Sequence, residues 1–501
     1  MATTQILGPV LAFAKHHPFV ILLCALCVYL LSNRYQRKLH RIPGPWLRSI
    51  STIPRMWSVY RGRSHEHDLA LHRKYGSIVR VAPNTLSISD PQEINQIYGA
   101  GTKFYKSRFF ELSAVYDEEG LVPDTFVLAD KELHSRMKRN AANAYSMNAV
   151  VQMKSWLDGP TDRLLQILGE HAAKQTPCDL GELLKRYAMD AVFSLTFGKD
   201  LDFLRKGDQT GMMKTIELFT DYMAIFGQVP WTHRFLLGNT TIANWFLGPA
   251  SASQDDMIAL AAAQIAAATH RAAPEDADED EPTTGTTLSR PHTFLTRLLA
   301  NARANPALLS PRDITTHAFG NIAAGSDTTA TDLRAVFIHL LAHPPARYAD
   351  AAALPYLAAT IREAMRLHPS VGMLLERTAD EPARLCGRVV PPRTVVGVNP
   401  WVVQRDGRVF DEPDAFVPER WLAGDEGRLR RMRRSFFAFG AGAHTCSGRW
   451  MAVVEMTRCV AAVVAAFDFE LAGKGEGVGF TNRWFTGQYG LEVVGRERGA
   501  R

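Results

Sequence analysis

Phe439-Gly440-Ala441-Gly442-Ala443-His444-Thr445-Cys446-Ser447-Gly448-Arg449, near the end of a 501-residue chain, decides how the rest is read. One cysteine sits in a glycine-rich loop, and an apolar, helix-compatible stretch, Trp450 to Phe467, follows directly. Glycines let backbone approach a flat ligand closely and turn its N–H groups toward a sulfur. The start of a helix adds positive dipole there, which favours thiolate over thiol. A stabilised thiolate with clear space above it is what an axial haem ligand requires.

Working outward, three further patterns carry information. Ser310-Pro311-Arg312-Asp313 reads as a helix start, with Ser at the cap, Pro in the first turn and an acid three residues on. That helix is expected to run to His343, where Pro344-Pro345 stops it. Ala324-Gly325-Ser326-Asp327-Thr328-Thr329 lies inside it, and its glycine and hydroxyls predict a local kink or bulge. Glu363-Ala364-Met365-Arg366 puts opposite charges on one helix face, and Pro418-Glu419-Arg420-Trp421 follows later. On a surface such a pair contributes little.

Phe-x-x-Gly-x-x-x-Cys-x-Gly, the Asp327-Thr328 pair and the Glu363-x-x-Arg366…Arg420 set together resemble the cytochrome P-450 family, the haem-thiolate monooxygenases. KYGSIVRVAPNTLSISDP (residues 74–91) is very similar to fungal members, and RNAANAYSM (139–147) to the pisatin demethylase group. The resemblance implies a mainly α-helical fold with a small β region around one haem b. It implies Cys446 as axial ligand of the iron, with Phe439 and His444 in the same cofactor-binding loop. Asp327 and Thr328 are implied as an acid–alcohol pair that relays protons at an oxygen-binding groove. Glu363, Arg366 and Arg420 are implied as a buried structural triad, in which losing one member costs about 3–5 kcal/mol.

The same resemblance implies partners for the haem propionates. Family members carry Trp or His followed four residues on by Arg; here His134 matches and Lys138 replaces the Arg. Arg377 resembles a further partner. The family usually has Arg where His444 stands and often His where Gln404 stands. Lysine and histidine lack the bidentate fork of arginine, so three softened haem contacts are expected. Substrate-lining candidates are Phe109, Phe110 and Tyr116, from an aromatic loop-like stretch, with Ala324 and Val371. For the aromatic stretch, ordinary core beneath a loop is an even alternative.

Bulk composition is that of a globular protein, 46% hydrophobic and 22% charged, long enough for several domains or one large one around a cofactor. Six cysteines show no zinc-type spacing, and Cys24-x-x-Cys27 lies in an apolar run. Net charge is +6, yet Glu275 to Glu281 holds six acids, so the remainder is distinctly basic. No nucleic-acid motif accompanies that charge, which points to an acidic protein or a membrane. Phe19 to Leu31 is unbroken apolar sequence and, extended over 18–35, reads as a transmembrane anchor. Arg34, Arg37, Lys38 and Arg41 follow it, which places residues 1–17 in the lumen and the remainder in the cytosol. Residues 36–45 read as a basic linker ending in a proline-rich joint, and 46–501 as the catalytic domain. Residues 272–287 form an acidic, low-complexity surface loop, and Asn239 stands in a glycosylation sequon. Ser77 to Ser89 alternates around Pro-Asn and predicts a hairpin, and Asp68 to Tyr75 a short helix.

Arg428, Arg430, Arg431, Arg433 and Arg434 precede the cysteine loop and, with Lys131 and Lys138, suit an acidic flavin domain. The implied activity is insertion of one oxygen atom from O2 into an apolar small molecule by hydroxylation, demethylation or epoxidation. NADPH would act through a separate flavoprotein reductase, at the endoplasmic reticulum membrane, in fungal secondary metabolism. Two alternatives remain at this stage: a haem-thiolate lyase or isomerase, and a non-enzymatic haem-binding membrane protein.

Overall fold

The computed structural model describes residues 16–114, 116–117, 120–237, 242, 262–263, 265–267, 292–342, 354–422, 424–472 and 477–499. The expected lumenal segment up to residue 15, Asn239 and the acidic loop 272–287 lie outside the described residues, as does the side chain of Tyr116.

Helices dominate, and those that position the site are labelled in chain order. They are α1 Pro18–Tyr35, α2 Lys131–Ala141, α3 Leu180–Phe197, α4 Met212–Phe226, α5 Pro311–Leu341, α6 Leu354–Leu367, α7 Glu426–Ser435 and α8 Arg449–Ala466. Caps written in the sequence start several of them. Asp130 accepts the N–H groups of Glu132 and Leu133 to open α2. Ser310 and Asp313 form a reciprocal capping box on α5.

The central helix α5 packs against α3, α6 and α8. Leu184 and Tyr187 of α3, Leu333 and Phe337 of α5, Leu357 of α6 and Val460 of α8 meet there, all fully buried. Each such side chain contributes about 1.5–3 kcal/mol by leaving water. α5 is one continuous α-helix from Pro311 to Leu341, so the expected bulge does not interrupt it. The hydroxyls reach carbonyls as expected: Thr328 Oγ1 donates to the Ala324 carbonyl at 2.7 Å and Ser326 Oγ to Ile322 at 3.3 Å.

Five short strands form the larger sheet: β1 Ile78–Ala82, β2 Thr85–Ile88, β3 Tyr105–Lys106, β4 Arg377–Thr378 and β5 Val395–Val398, in the order β1-β2-β5-β4-β3. β1 and β2 are the expected hairpin, antiparallel, with Ile78 opposite Ile88. β5 runs parallel to β2, with Val395 opposite Thr85, and the other neighbours are antiparallel. Leu86, Ile88, Val396 and Val398 bury a second core with Phe437, which leads into the cysteine loop. The expected short helix is longer, Ser64–Tyr75, and stops at Gly76 with φ 91°.

The helix α1 buries no residue and is long and apolar enough to cross a membrane. Its C-terminal end is fastened to the body. Arg80 of β1, wholly buried, donates to the carbonyls of Arg34 at 2.8 Å, Asn33 at 2.6 Å and Pro83 at 2.6 Å. Asn33 Nδ2 donates to Ile50 O at 2.9 Å, and Arg34 Nη1 to Ser49 Oγ at 2.8 Å. The joint after it also packs on β1, where a Cβ on Gly44 would stand 2.4 Å from Arg80 O.

Candidate active site

The cysteine loop is pinned at its start by Gln404. That side chain donates to the carbonyls of Met365 at 3.2 Å and Arg366 at 3.0 Å, and accepts the Phe437 N–H at 2.7 Å. Gln404 is therefore no softened haem contact but a strut between α6 and the loop. Gly442 has φ +62°, and a Cβ there would lie 1.8 Å from the Tyr98 carbonyl, so only glycine fits. The Cys446 N–H donates to the half-buried Phe439's carbonyl at 2.9 Å, closing the turn. Cys446 is exposed by its surface, yet the surrounding protein desolvates its thiol. That desolvation pushes the thiol up, against the pull of the Gly448 N–H and of Lys138. A coordinated metal ion would remove such a proton.

Behind the loop, Glu363 carries five hydrogen bonds. Oε1 accepts from Arg366 Nη2 and Arg420 Nε, both at 2.9 Å, and from the Val417 N–H at 3.1 Å. Oε2 accepts from Arg366 Nε at 2.9 Å and Trp421 Nε1 at 2.8 Å. Glu363, Arg366 and Arg420 are all buried, so the three charges of the sequence motif meet in one dry cluster.

Beside the loop lies a group of five basic side chains. Lys138 Nζ donates to the carbonyls of Ala443, at 2.8 Å, and Thr445 in the loop itself. The rings of His134 and His444 stack loosely, with centroids 4.1 Å apart. Arg377 lies over Tyr98 and Phe110, at 5.0 and 5.5 Å from the ring centres. Lys106 joins them; it is buried and donates to Thr125 O at 2.5 Å. Burial and mutual repulsion bring Lys106 down to about 7, His134 to about 3 and His444 to about 2. Burial also lowers Arg377. None of the five forms an ion pair among the described residues. Glu376, beside Arg377, is held by Arg55 at 3.0 Å and Ser107 at 2.9 Å. Arg377 Nε and His444 Nδ1 are buried without any partner. A cleft of about 860 Å³, lined among others by Thr102, Lys131, His134 and His444, opens at this edge.

On α5, Ala324 is exposed although mid-helix, and Thr328 is half-buried. Asp327 turns the other way, toward α3, where Lys185 Nζ stands 3.6 Å from its carboxylate. Burial pushes Asp327 up, while Lys185 and Arg334 pull it down.

Comparison with known proteins settles the family, because the cytochrome P450 family model matches residues 43–347 and 345–486. The chain belongs to the cytochrome P450 family. It is 32% identical over 504 residues to the cytochrome P450 monooxygenase pkfB of Emericella nidulans, covering 95% of this chain and 96% of that one. It is 31% identical over 493 residues to a cytochrome P450 monooxygenase of Aspergillus terreus, covering 92% and 97%. Against the cytochrome P450 monooxygenase mpaDE of Penicillium roqueforti identity is 31% over 513 residues, 96% of this chain but only 58% of that protein.

The donor set fits the haem of a P450. Two propionates would supply counter-charge to Lys106, Lys138 and Arg377, and they would meet the unpartnered Arg377 Nε and His444 Nδ1. Cys446, on the loop that Lys138 grips, would hold the iron. Lys106 escaped the sequence reading; its signal was a lysine between aromatic residues that would otherwise read as core. Phe109 and Phe110 are buried, packed with Trp484, Met223 and Met373, which favours core beneath a loop. Val371 borders that cluster and bridges to Phe485. Tyr116 contributes backbone to a two-residue strand opposite Leu121.

Proposed function

We propose that this P450 inserts one oxygen atom from O2 into an apolar small molecule, as a hydroxylation, demethylation or epoxidation step of fungal secondary metabolism. The observation that carries the reading is the cluster of basic side chains beside the loop of Cys446, with Lys138 gripping that loop and Arg377 Nε and His444 Nδ1 buried without partners. Haem bound there supplies oxygen activation and, through its thiolate ligand, electron push. The chain's own residues do the remainder. Lys106, His134, Lys138, Arg377 and His444 seat the carboxylates, and Glu363, Arg366 and Arg420 hold the frame behind the loop. Thr328 offers a hydroxyl on the α5 face that carries the exposed Ala324, and Asp327 pairs that helix with Lys185 of α3. The division into anchor 18–35, linker 36–45 and catalytic domain 46–501 belongs to the same reading.

Electrons would come from NADPH through a separate flavoprotein reductase. Arg430, Arg431 and Arg434 of α7 are exposed near the loop and suit its acidic surface. The α1 helix would place the protein in the endoplasmic reticulum membrane with the catalytic domain in the cytosol.

The test uses membranes containing the full chain and a fungal reductase, given NADPH, labelled dioxygen and a metabolite extract. A product gaining one labelled oxygen only with NADPH supports the reading. Conversion without NADPH or label replaces it with a lyase or isomerase, and no conversion with intact haem leaves a binding protein.

A further inference from the structure

Glu376 stands directly before Arg377, whose Nε is buried without a partner. Arg377 bends back along the chain, so that Nη1 donates to Glu376 O at 2.8 Å. The Glu376 carboxylate lies close enough for its charge to act on that guanidinium. A bidentate pair between the two would occupy the fork that a haem carboxylate needs. Two other side chains prevent it. Oε1 of Glu376 accepts from Arg55 Nη2 at 3.0 Å and Oε2 from Ser107 Oγ at 2.9 Å, so both oxygens are taken. Arg55, Ser107 and Glu376 are all buried.

The two partners arrive from separate elements. Arg55 lies on the short helix Ile53–Tyr60, whose outer residues Ile53, Trp57 and Tyr60 are exposed and whose Ser58 and Val59 are buried with it. Val59 shares a core with Phe109, Phe110 and Trp484, which fixes the helix over the site. Ser107 follows β3, where Lys106 stands opposite Arg377. A carboxylate at this depth must keep a cationic partner or give up its charge. With Arg55 gone, the cation next to it in the chain is Arg377.

We propose that Arg55 is a positioning residue: with Ser107 it sequesters Glu376, and so keeps the Arg377 fork open for a haem carboxylate. The role rests on the reading of Arg377 as a seat for that carboxylate.

Full-length protein is stripped of haem and titrated with it, followed by absorbance. Arg55→Met should lower haem affinity roughly tenfold or more, because Glu376 then takes the place of the incoming carboxylate. Adding Glu376→Gln to that variant should return the affinity to near the wild-type value, and Arg55→Lys should keep it. In an Arg377→Gln background the affinity loss from Arg55→Met should disappear. The melting temperature of the haem-free protein should still fall there, since a buried carboxylate has lost its partner. A merely structural ion pair would instead weaken haem binding equally in both backgrounds. An Arg55→Met protein that binds haem as tightly as wild type overturns the proposal, as does a loss that Glu376→Gln leaves unrepaired or that persists with Arg377→Gln. A wild type that takes up no haem overturns the underlying reading as well, which tells the two failures apart. Should Arg55→Met not fold, Ser107→Ala takes its place in the same comparisons, and repair by Glu376→Gln decides.

Discussion

Replacing Lys106 with methionine tests the cation cluster most directly. Lys106 is buried, has one carbonyl partner and has its ammonium lowered to about 7 by burial and by Arg377. A carboxylate arriving beside it would favour the charged form and raise it again. Haem binding should then take up a proton at alkaline pH. With a free value near 7 and a much higher bound one, haem affinity is full below 7 and falls roughly thirtyfold between about pH 6 and about pH 8.5. A hydrogen bond to a charged group contributes about 1.5–3 kcal/mol, so Lys106→Met should weaken haem binding roughly 10- to 150-fold near pH 6. It should also flatten the pH dependence, and Lys106→Arg should restore affinity while shifting the slope to higher pH. The assay is titration of the haem-free protein with haem, followed by absorbance at several pH values. A wild type with no pH slope, or a methionine variant that binds as tightly, would refute the argument.

Glu363→Gln should destabilise the protein by about 3–5 kcal/mol in denaturant titration, because two buried guanidinium groups lose their counter-charge; a loss below about 1 kcal/mol would mean the cluster is wet. Asp327→Asn removes an acid that burial already holds above its usual range, so its melting temperature near neutral pH should match or exceed wild type. Its NADPH-driven dioxygen consumption should nevertheless fall by roughly a hundredfold or more, measured with an oxygen electrode.

What the sequence disclosed follows from what is local. The caps of α2 and α5, the β1–β2 hairpin and the glycine-bound cysteine turn are set by neighbours within a few residues. They were legible for that reason. The Thr328 and Ser326 contacts to carbonyls one turn back were legible for the same reason, being local to α5. Gln404 was misjudged because its partners, Met365, Arg366 and Phe437, come from distant segments. Lys106 was invisible for the same reason. A lysine beside aromatic residues looks like surface until tertiary packing closes over it.

The fastening of α1 changes how truncation should be planned. A soluble form begun at Gln36 would delete the two carbonyls that the wholly buried Arg80 holds, leaving its guanidinium with Pro83 O alone. A start at Asn33 keeps both acceptors and sheds the apolar run, so it should melt well above the shorter form. In the intact chain the same contacts make the helix a rigid mast, not a leash. Tilting it within a bilayer would tilt the whole body fastened to it.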